Sequence, residues 1–304
     1  VGKVAQLQRA LRGKSYGGST GIAHTRWATH GPPREENAHP QQSNKKIFVV
    51  HNGIIENHEK LRKELEANGV KFSSDTDTEV IAHLIEANLG PAGLAESIKK
   101  VVKLINGSYA FAAIHLKEPS RIVAARKGSP LVIGIGADET LLASDQLAIS
   151  DSAKAYIYLE DGDVVEINDD SLQLWDENNN ETTRPLVSGG GFSESVDKAG
   201  YSHFMLKEIF EQPQRIRNLL QENLTSTGIQ DESFGPLAPT IFSQVKAVQI
   251  VACGTSFHAG LVAKHWLESL AGIPCNVEIS SEFRYRDKVV APQTLLVCIS
   301  QSGE

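Results

Sequence analysis

An arginine, a tryptophan and two histidines fall within eight residues, at His24-Thr25-Arg26-Trp27-Ala28-Thr29-His30-Gly31. Arginine suits a substrate carboxylate, because its planar fork meets two oxygens at once. The plainer alternative is a surface arginine beside a core tryptophan. His51-Asn52-Gly53 directly follows the apolar run 47–50. An asparagine amide and a glycine N–H fixed at a strand end can form an oxyanion hole, and glycine lets backbone and ligand approach closely. The same pair is also a common turn between strands. In Asp75-Thr76-Asp77-Thr78-Glu79, Thr76 and Glu79 have the spacing of a capping box. Asp77 is then either an acid in a first helical turn or a carboxylate that holds a ligand ammonium. Arg26 and Asp77 together suit the two ends of an α-amino acid.

Two further motifs lie near the other end. Val251-Ala252-Cys253-Gly254-Thr255-Ser256 and Val297-Cys298-Ile299-Ser300-Gln301-Ser302-Gly303 are each an apolar strand that ends in small hydroxyl residues. Hydroxyls and free N–H groups at a helix start bind phosphate without lysine or arginine, although serine and threonine there also serve as plain caps. Two such loops at equivalent strand ends point to a sugar-phosphate site at the carboxyl edge of a sheet. No metal site is expected. Half of the ten histidines, His24, His30, His39, His51 and His58, lie before residue 60, but none are paired four apart on a helix and no cysteine is near. Cys253, Cys275 and Cys298 fit no zinc or disulfide pattern. Cys253 and Cys298, in apolar strands, read as inert buried residues.

Positioning these groups takes about two domains' worth of chain, and 304 residues supply it. Hydrophobic residues at 40% allow real cores. Thirty basic against 37 acidic residues give a net charge of −7, which argues against a nucleic-acid backbone binder. No apolar run reaches the roughly 18 residues of a membrane span, and no secretory leader opens the chain, so a cytoplasmic, reducing location is expected. The start at Val1 suggests a processed chain or a fragment.

From residue 21 to about 187, short apolar runs at 47–50, 110–114, 122–125, 131–135, 140–143, 156–159, 164–167 and 172–175 read as strands. Helices are expected over 56–68, 78–88 and 94–105, each ending at a glycine or asparagine signal. Many strands with few helices imply a layered α+β domain. The stretches 176–181 and 188–195 are polar and glycine-rich, and Gly189-Gly190-Gly191 is the best linker signal. Beyond them a helix at 203–223 leads into strands at 245–253, 276–279 and 294–300. A helix at 257–270 and a charged helix or turn at 282–287 separate these strands. That alternation is the signal of a parallel, doubly wound α/β sheet.

With these motifs in order, the chain resembles the glutamine–fructose-6-phosphate aminotransferase (isomerizing) family. The match is carried by residues 21–31, 37–40, 50–58, 76–84, 128–133 and 143–147, then by 207–209, 211–213, 253–256, 281–286 and 300–304. The resemblance implies an N-terminal-nucleophile glutaminase domain of αββα layers at 1–188, missing its start, a linker at 189–202, and the first part of an α/β sugar-isomerase (SIS) domain at 203–304. It implies that ammonia released from glutamine passes through a channel to aminate and isomerise fructose 6-phosphate to glucosamine 6-phosphate. It places Arg26 on the glutamine carboxylate, Asp77 on its amino group, Thr29 and His30 nearby, and Trp27 in a loop by the channel. Asn52 and Gly53 fall on the oxyanion hole, and Thr255, Ser256, Ser300, Gln301 and Ser302 on the sugar-phosphate site. No cofactor or nucleic-acid partner is implied, and the intact enzyme is expected to be a homodimer. The family's nucleophile is a terminal cysteine, which none of the three cysteines can replace, and its isomerase catalytic groups lie beyond residue 304. The chain is therefore expected to be inactive alone. The alternatives are another N-terminal-nucleophile amidotransferase, such as the one that aminates phosphoribosyl pyrophosphate, and a sugar-phosphate-binding regulatory module.

Overall fold

The structure is a computed structural model that describes residues 4–14, 17–26, 32, 34–169, 171–188, 200–225, 228–229, 234–235 and 237–300. The chain divides into two compact units, Val1–Ser193 and Glu194–Glu304.

In the first unit an exposed helix α1 (Val4–Leu11) precedes the sheets. A seven-stranded sheet runs in the order β1 (Gln41–Ser43), β2 (Ile47–Ile55), β3 (Gly107–His115), β4 (Glu118–Lys127), β8 (Val164–Ile167), β9 (Leu172–Trp175) and β10 (Glu181–Thr182). All of its pairings are antiparallel. Helices α2 (His58–Ala67), α3 (Thr78–Ala87) and α4 (Gly93–Val101) pack on one face. The other face meets a four-stranded sheet ordered β11 (Leu186–Ser188), β7 (Ala155–Tyr158), β5 (Val132–Ile135) and β6 (Thr140–Ala143).

Strand alternation explains the layering. Tyr109, Phe111 and Ala113 of β3 enter the helix-side core, whereas Ala110 and Ala112 point into the inter-sheet core with Leu131, Ile133 and Val165. Both faces are covered in its middle, so the strand is apolar from Ala110 to Ile114. On the outer face of the smaller sheet, Ile149 and Ala153, in and just after a 3₁₀ turn at Gln146–Ile149, cover Val132 and Tyr156.

The expected strands at 140–143, 164–167 and 172–175 match the observed ones, and the three helices lie in the expected places, the third ending at Val101 and not at residue 105. The polar stretch after β9 is part of the first unit. Residues 176–180 form a turn in which the Asp176 carboxylate accepts from the N–H groups of Asn178 and Asn180, at 2.9 and 2.8 Å, and returns the chain into β10. The glycine-rich stretch 189–199 lies outside the described residues.

The second unit opens with α5 (Phe204–Asn223), followed by a small hairpin, β12 (Leu224–Thr225) and β13 (Gly228–Ile229), and by α6 (Ala238–Phe242). Its core is a three-stranded parallel sheet ordered β15 (Cys275–Ile279), β14 (Ala247–Ala252) and β16 (Thr294–Ile299). Helix α7 (Gly254–Trp266), continued by a π turn at Leu267–Ala271, covers one face through Ala263 and Leu267. Helix α8 (Ser280–Tyr285) follows β15 directly.

Two cysteine expectations are corrected. Cys253 is exposed because it lies past the end of β14, at the mouth of α7. Cys298 is exposed because strand alternation sets it with the exposed Leu296, opposite the α7-covered Leu295, Val297 and Ile299. Cys275 is buried.

Candidate active site

Strand β2 runs unbroken through His51-Asn52-Gly53 to Ile55, paired along its length with β3. The Asn52-Gly53 pair is therefore not a turn. Gly53 has a φ of +113°, in the region that favours glycine, and a Cβ there would collide with the carbonyl oxygen of Ser108. Glycine is required for β2 to pass this close to β3. The Asn52 side chain is half-buried, and its Oδ1 lies 2.8 Å from Nε2 of His24.

Asp77 is buried at the start of α3, and its Oδ2 accepts the Ile55 N–H at 2.9 Å. This bond brings the acid to the end of the strand that carries Asn52 and Gly53. Thr78 comes next, and its hydroxyl stands between two imidazoles, 3.0 Å from His39 Nε2 and 2.9 Å from His51 Nδ1. The His39 ring lies against that of His24, with centroids 4.3 Å apart. Burial first, then the nearby His24, His51 and Arg26, hold His39 well below the usual imidazole range, at about 3.

Only half of the expected capping box forms. The Glu79 N–H approaches the Thr76 hydroxyl at 3.4 Å, but the Glu79 carboxylate turns to the backbone N–H groups of Ser73 and Ser74, at 2.8 and 2.7 Å, and to their hydroxyls. Burial alone would raise the Glu79 pKa. The bonds from His83, Ser73 and Ser74 outweigh it and bring the group down to about 2.

Arg26 is half-buried and donates to the Pro32 carbonyl at 3.3 Å. The same carbonyl accepts from Asn37 Nδ2 at 3.1 Å, and Asn37 Oδ1 accepts the Asp75 N–H at 2.9 Å. The fully buried Asn37 thus ties the segment after Arg26 to the one before Asp77. Trp27, Thr29, His30, Gln301 and Ser302 lie outside the described residues.

In the second unit the parallel register sets Ala252 opposite Ile299, so Cys253 and Ser300 leave the sheet side by side. The helix begins at Gly254, earlier than expected, and the Phe257 N–H is bonded to the Cys253 carbonyl at 3.3 Å. The N–H groups of Gly254, Thr255 and Ser256 thus belong to a first turn, which lacks intrahelical acceptors. Thr255 and Ser300 are exposed and Ser256 is half-buried. Among the described residues this carboxyl edge presents hydroxyls and first-turn amides, the groups that hold a phosphate. Among the described residues no group of three or more His, Cys, Asp or Glu is arranged to hold a metal ion, and no helix is long and apolar enough to cross a membrane.

Sequence reasoning missed His24, His39, His51, Thr78 and Asn37 as parts of this constellation. The available signal was that His24, His51 and Thr78 each lie within two residues of Arg26, Asn52 or Asp77.

Comparison with known proteins gives each unit a different domain family. Residues 24–151 match the glutamine amidotransferase domain family and residues 241–304 the SIS domain family. The glutamine–fructose-6-phosphate aminotransferase [isomerizing] of Pseudomonas aeruginosa is 54% identical over 305 positions, covering 100% of this chain and 50% of the relative. The proteins of the same name from Pseudomonas putida and Idiomarina loihiensis are 53% and 51% identical with the same coverage. The chain spans about half the length of the curated relatives it matches. An antiparallel two-sheet unit that matches the glutamine amidotransferase domain family and a parallel unit that matches the SIS domain family thus make a chain that is similar, over its whole length, to about half the length of these glutamine–fructose-6-phosphate aminotransferases [isomerizing].

Proposed function

We propose that the chain serves the glutamine-dependent amination and isomerisation of fructose 6-phosphate to glucosamine 6-phosphate, the first unit handling glutamine and the second the sugar phosphate. The observation that carries this reading is the Asn52-Gly53 pair at the end of β2, joined to Asp77 through the Ile55 N–H. Arg26 takes the α-carboxylate of glutamine and Asp77 its ammonium, with Thr29 and His30 adding contacts and Trp27 beside the route of ammonia. The side-chain carbonyl then lies at Asn52 and Gly53. Attack on that carbon puts negative charge on its oxygen, and each donor aimed at the oxyanion lowers the barrier by about 3–4 kcal/mol. In the second unit the first turn of α7, with Thr255 and Ser256, and the adjoining Ser300, Gln301 and Ser302 hold the phosphate of fructose 6-phosphate.

The nucleophile that the family resemblance implies is a cysteine. All three cysteines of these 304 residues lie in the second unit. The 304-residue chain by itself therefore binds glutamine without hydrolysing it. Calorimetric titration with L-glutamine should show binding that Arg26→Ala and Asp77→Asn abolish, and an assay for glutamate should stay blank. Glutamate release that Asn52→Ala abolishes would overturn the inactivity, and an absence of any binding would overturn the glutamine reading itself.

A further inference from the structure

An asparagine side chain helps an oxyanion in only one of its two orientations: Nδ2 must face the substrate, so something else must hold Oδ1. His24 Nε2 lies 2.8 Å from Asn52 Oδ1. An oxygen acceptor at that distance requires the hydrogen on Nε2. The reverse arrangement, with the amide rotated and the proton on Nδ1, would bury an N–H, because Nδ1 of His24 has no partner among the described residues. A buried donor without an acceptor is the costlier defect, since orphaned N–H groups are rarer than bare acceptors.

The ring is also supported from behind. His39 packs against it in a tilted arrangement, with 4.3 Å between centroids and 37° between planes. His39 in turn is pinned by its Nε2 to the hydroxyl of Thr78, next to Asp77. Because His39 is held uncharged well below neutral pH, the two adjoining rings carry no repulsion between imidazolium groups. His24 is half-buried and its contact spans 28 residues of sequence, so the bond is tertiary and not a by-product of a local turn.

We propose that His24 is a positioning residue: by donating from Nε2 to Asn52 Oδ1, it locks the amide with its Nδ2 hydrogens toward the glutamine carbonyl oxygen, and His39 supports the ring. This inference rests on the glutamine reading of the site. It predicts that His24 acts on the orientation of Asn52 and not on the grip of the amino-acid end of the substrate.

The test uses the 304-residue chain labelled with ¹⁵N. Long-range imidazole spectra at neutral pH should show His24 protonated at Nε2, with signals that move in Asn52→Ala. A proton confined to Nδ1 overturns the proposal without any His24 variant. Addition of L-glutamine should shift the Asn52 side-chain NH₂ signals in the wild type and in His24→Gln, whose amide restores a donor. In His24→Leu the shift should be lost, while the calorimetric affinity for glutamine stays within about threefold, as expected for a group aimed at developing charge. Equal Asn52 shifts in the wild type and His24→Leu would overturn the positioning role. Failure of the wild type to bind glutamine would overturn the glutamine reading, and with it this assignment. The two failures are distinguishable because the imidazole spectra need no ligand.

Discussion

At Asp77 a single carboxylate serves the fold and, in the proposed site, the ligand. Its Oδ2 accepts the Ile55 N–H while the residue is only 3% exposed. Removing the side chain leaves a buried amide without a partner, a defect of about 1–3 kcal/mol. Asp77→Asn keeps an oxygen acceptor for that amide but loses the charge that would meet an ammonium. We therefore expect Asp77→Ala to lower the midpoint of denaturant unfolding and to lose glutamine binding. Asp77→Asn should lose binding with a midpoint close to the wild type. Equal destabilisation by both would show that the negative charge itself stabilises the fold. At this scale the sequence was legible for the place of Asp77, which stands at the start of α3 as an acid ahead of a helix should. It was illegible for His24, His39 and Thr78, whose parts depend on contacts that spacing does not encode, such as that of His39 with Thr78, 39 positions further along the chain.

Element boundaries were legible wherever local chemistry decided them. The strands at 140–143, 164–167 and 172–175 are short apolar runs bounded by polar residues, and they hold their ends. Strand β2 is longer than its apolar run because tertiary pairing with β3 overrides the turn preference of Asn-Gly. Helix α7 starts early because Gly254 takes a φ of +57° and lets the chain turn directly out of β14. The layering around β16 was hidden for a different reason: a run such as 294–299 is apolar at nearly every position, so alternation cannot say which face is covered. Exposure now separates the three thiols. Cys253 and Cys298 should react with a colorimetric thiol reagent in the native chain, and Cys275 only after unfolding. Burial also pushes the Cys275 thiol up, which removes thiolate as well as access. One fast equivalent instead of two would show that a further surface covers the open face of β16.

Across the whole molecule, acid sensitivity follows from two groups of the first unit that act in the same direction. His39 has a folded pKa of about 3 against an ordinary 6.5, so the stability it contributes is complete above pH 6.5 and is lost as pH falls toward 3. Glu79 falls from 4.5 to about 2, so its contribution is complete above pH 4.5 and is lost on the way to 2. Stability should therefore decline from about pH 6.5 downward, earlier than carboxylates alone would cause. Thermal melts of His39→Asn should lose the upper part of that decline and keep the lower part. An unchanged profile would show that His39 protonates without cost. A library of single substitutions over all 304 residues would record another consequence, at Gly53. Every side chain there meets the Ser108 carbonyl and an unfavourable φ before its chemistry matters. A tolerance map would thus show Gly53 uniformly closed and Asn52 graded by hydrogen-bonding capacity, so neighbouring columns of equal severity would report backbone geometry in one and polar chemistry in the other.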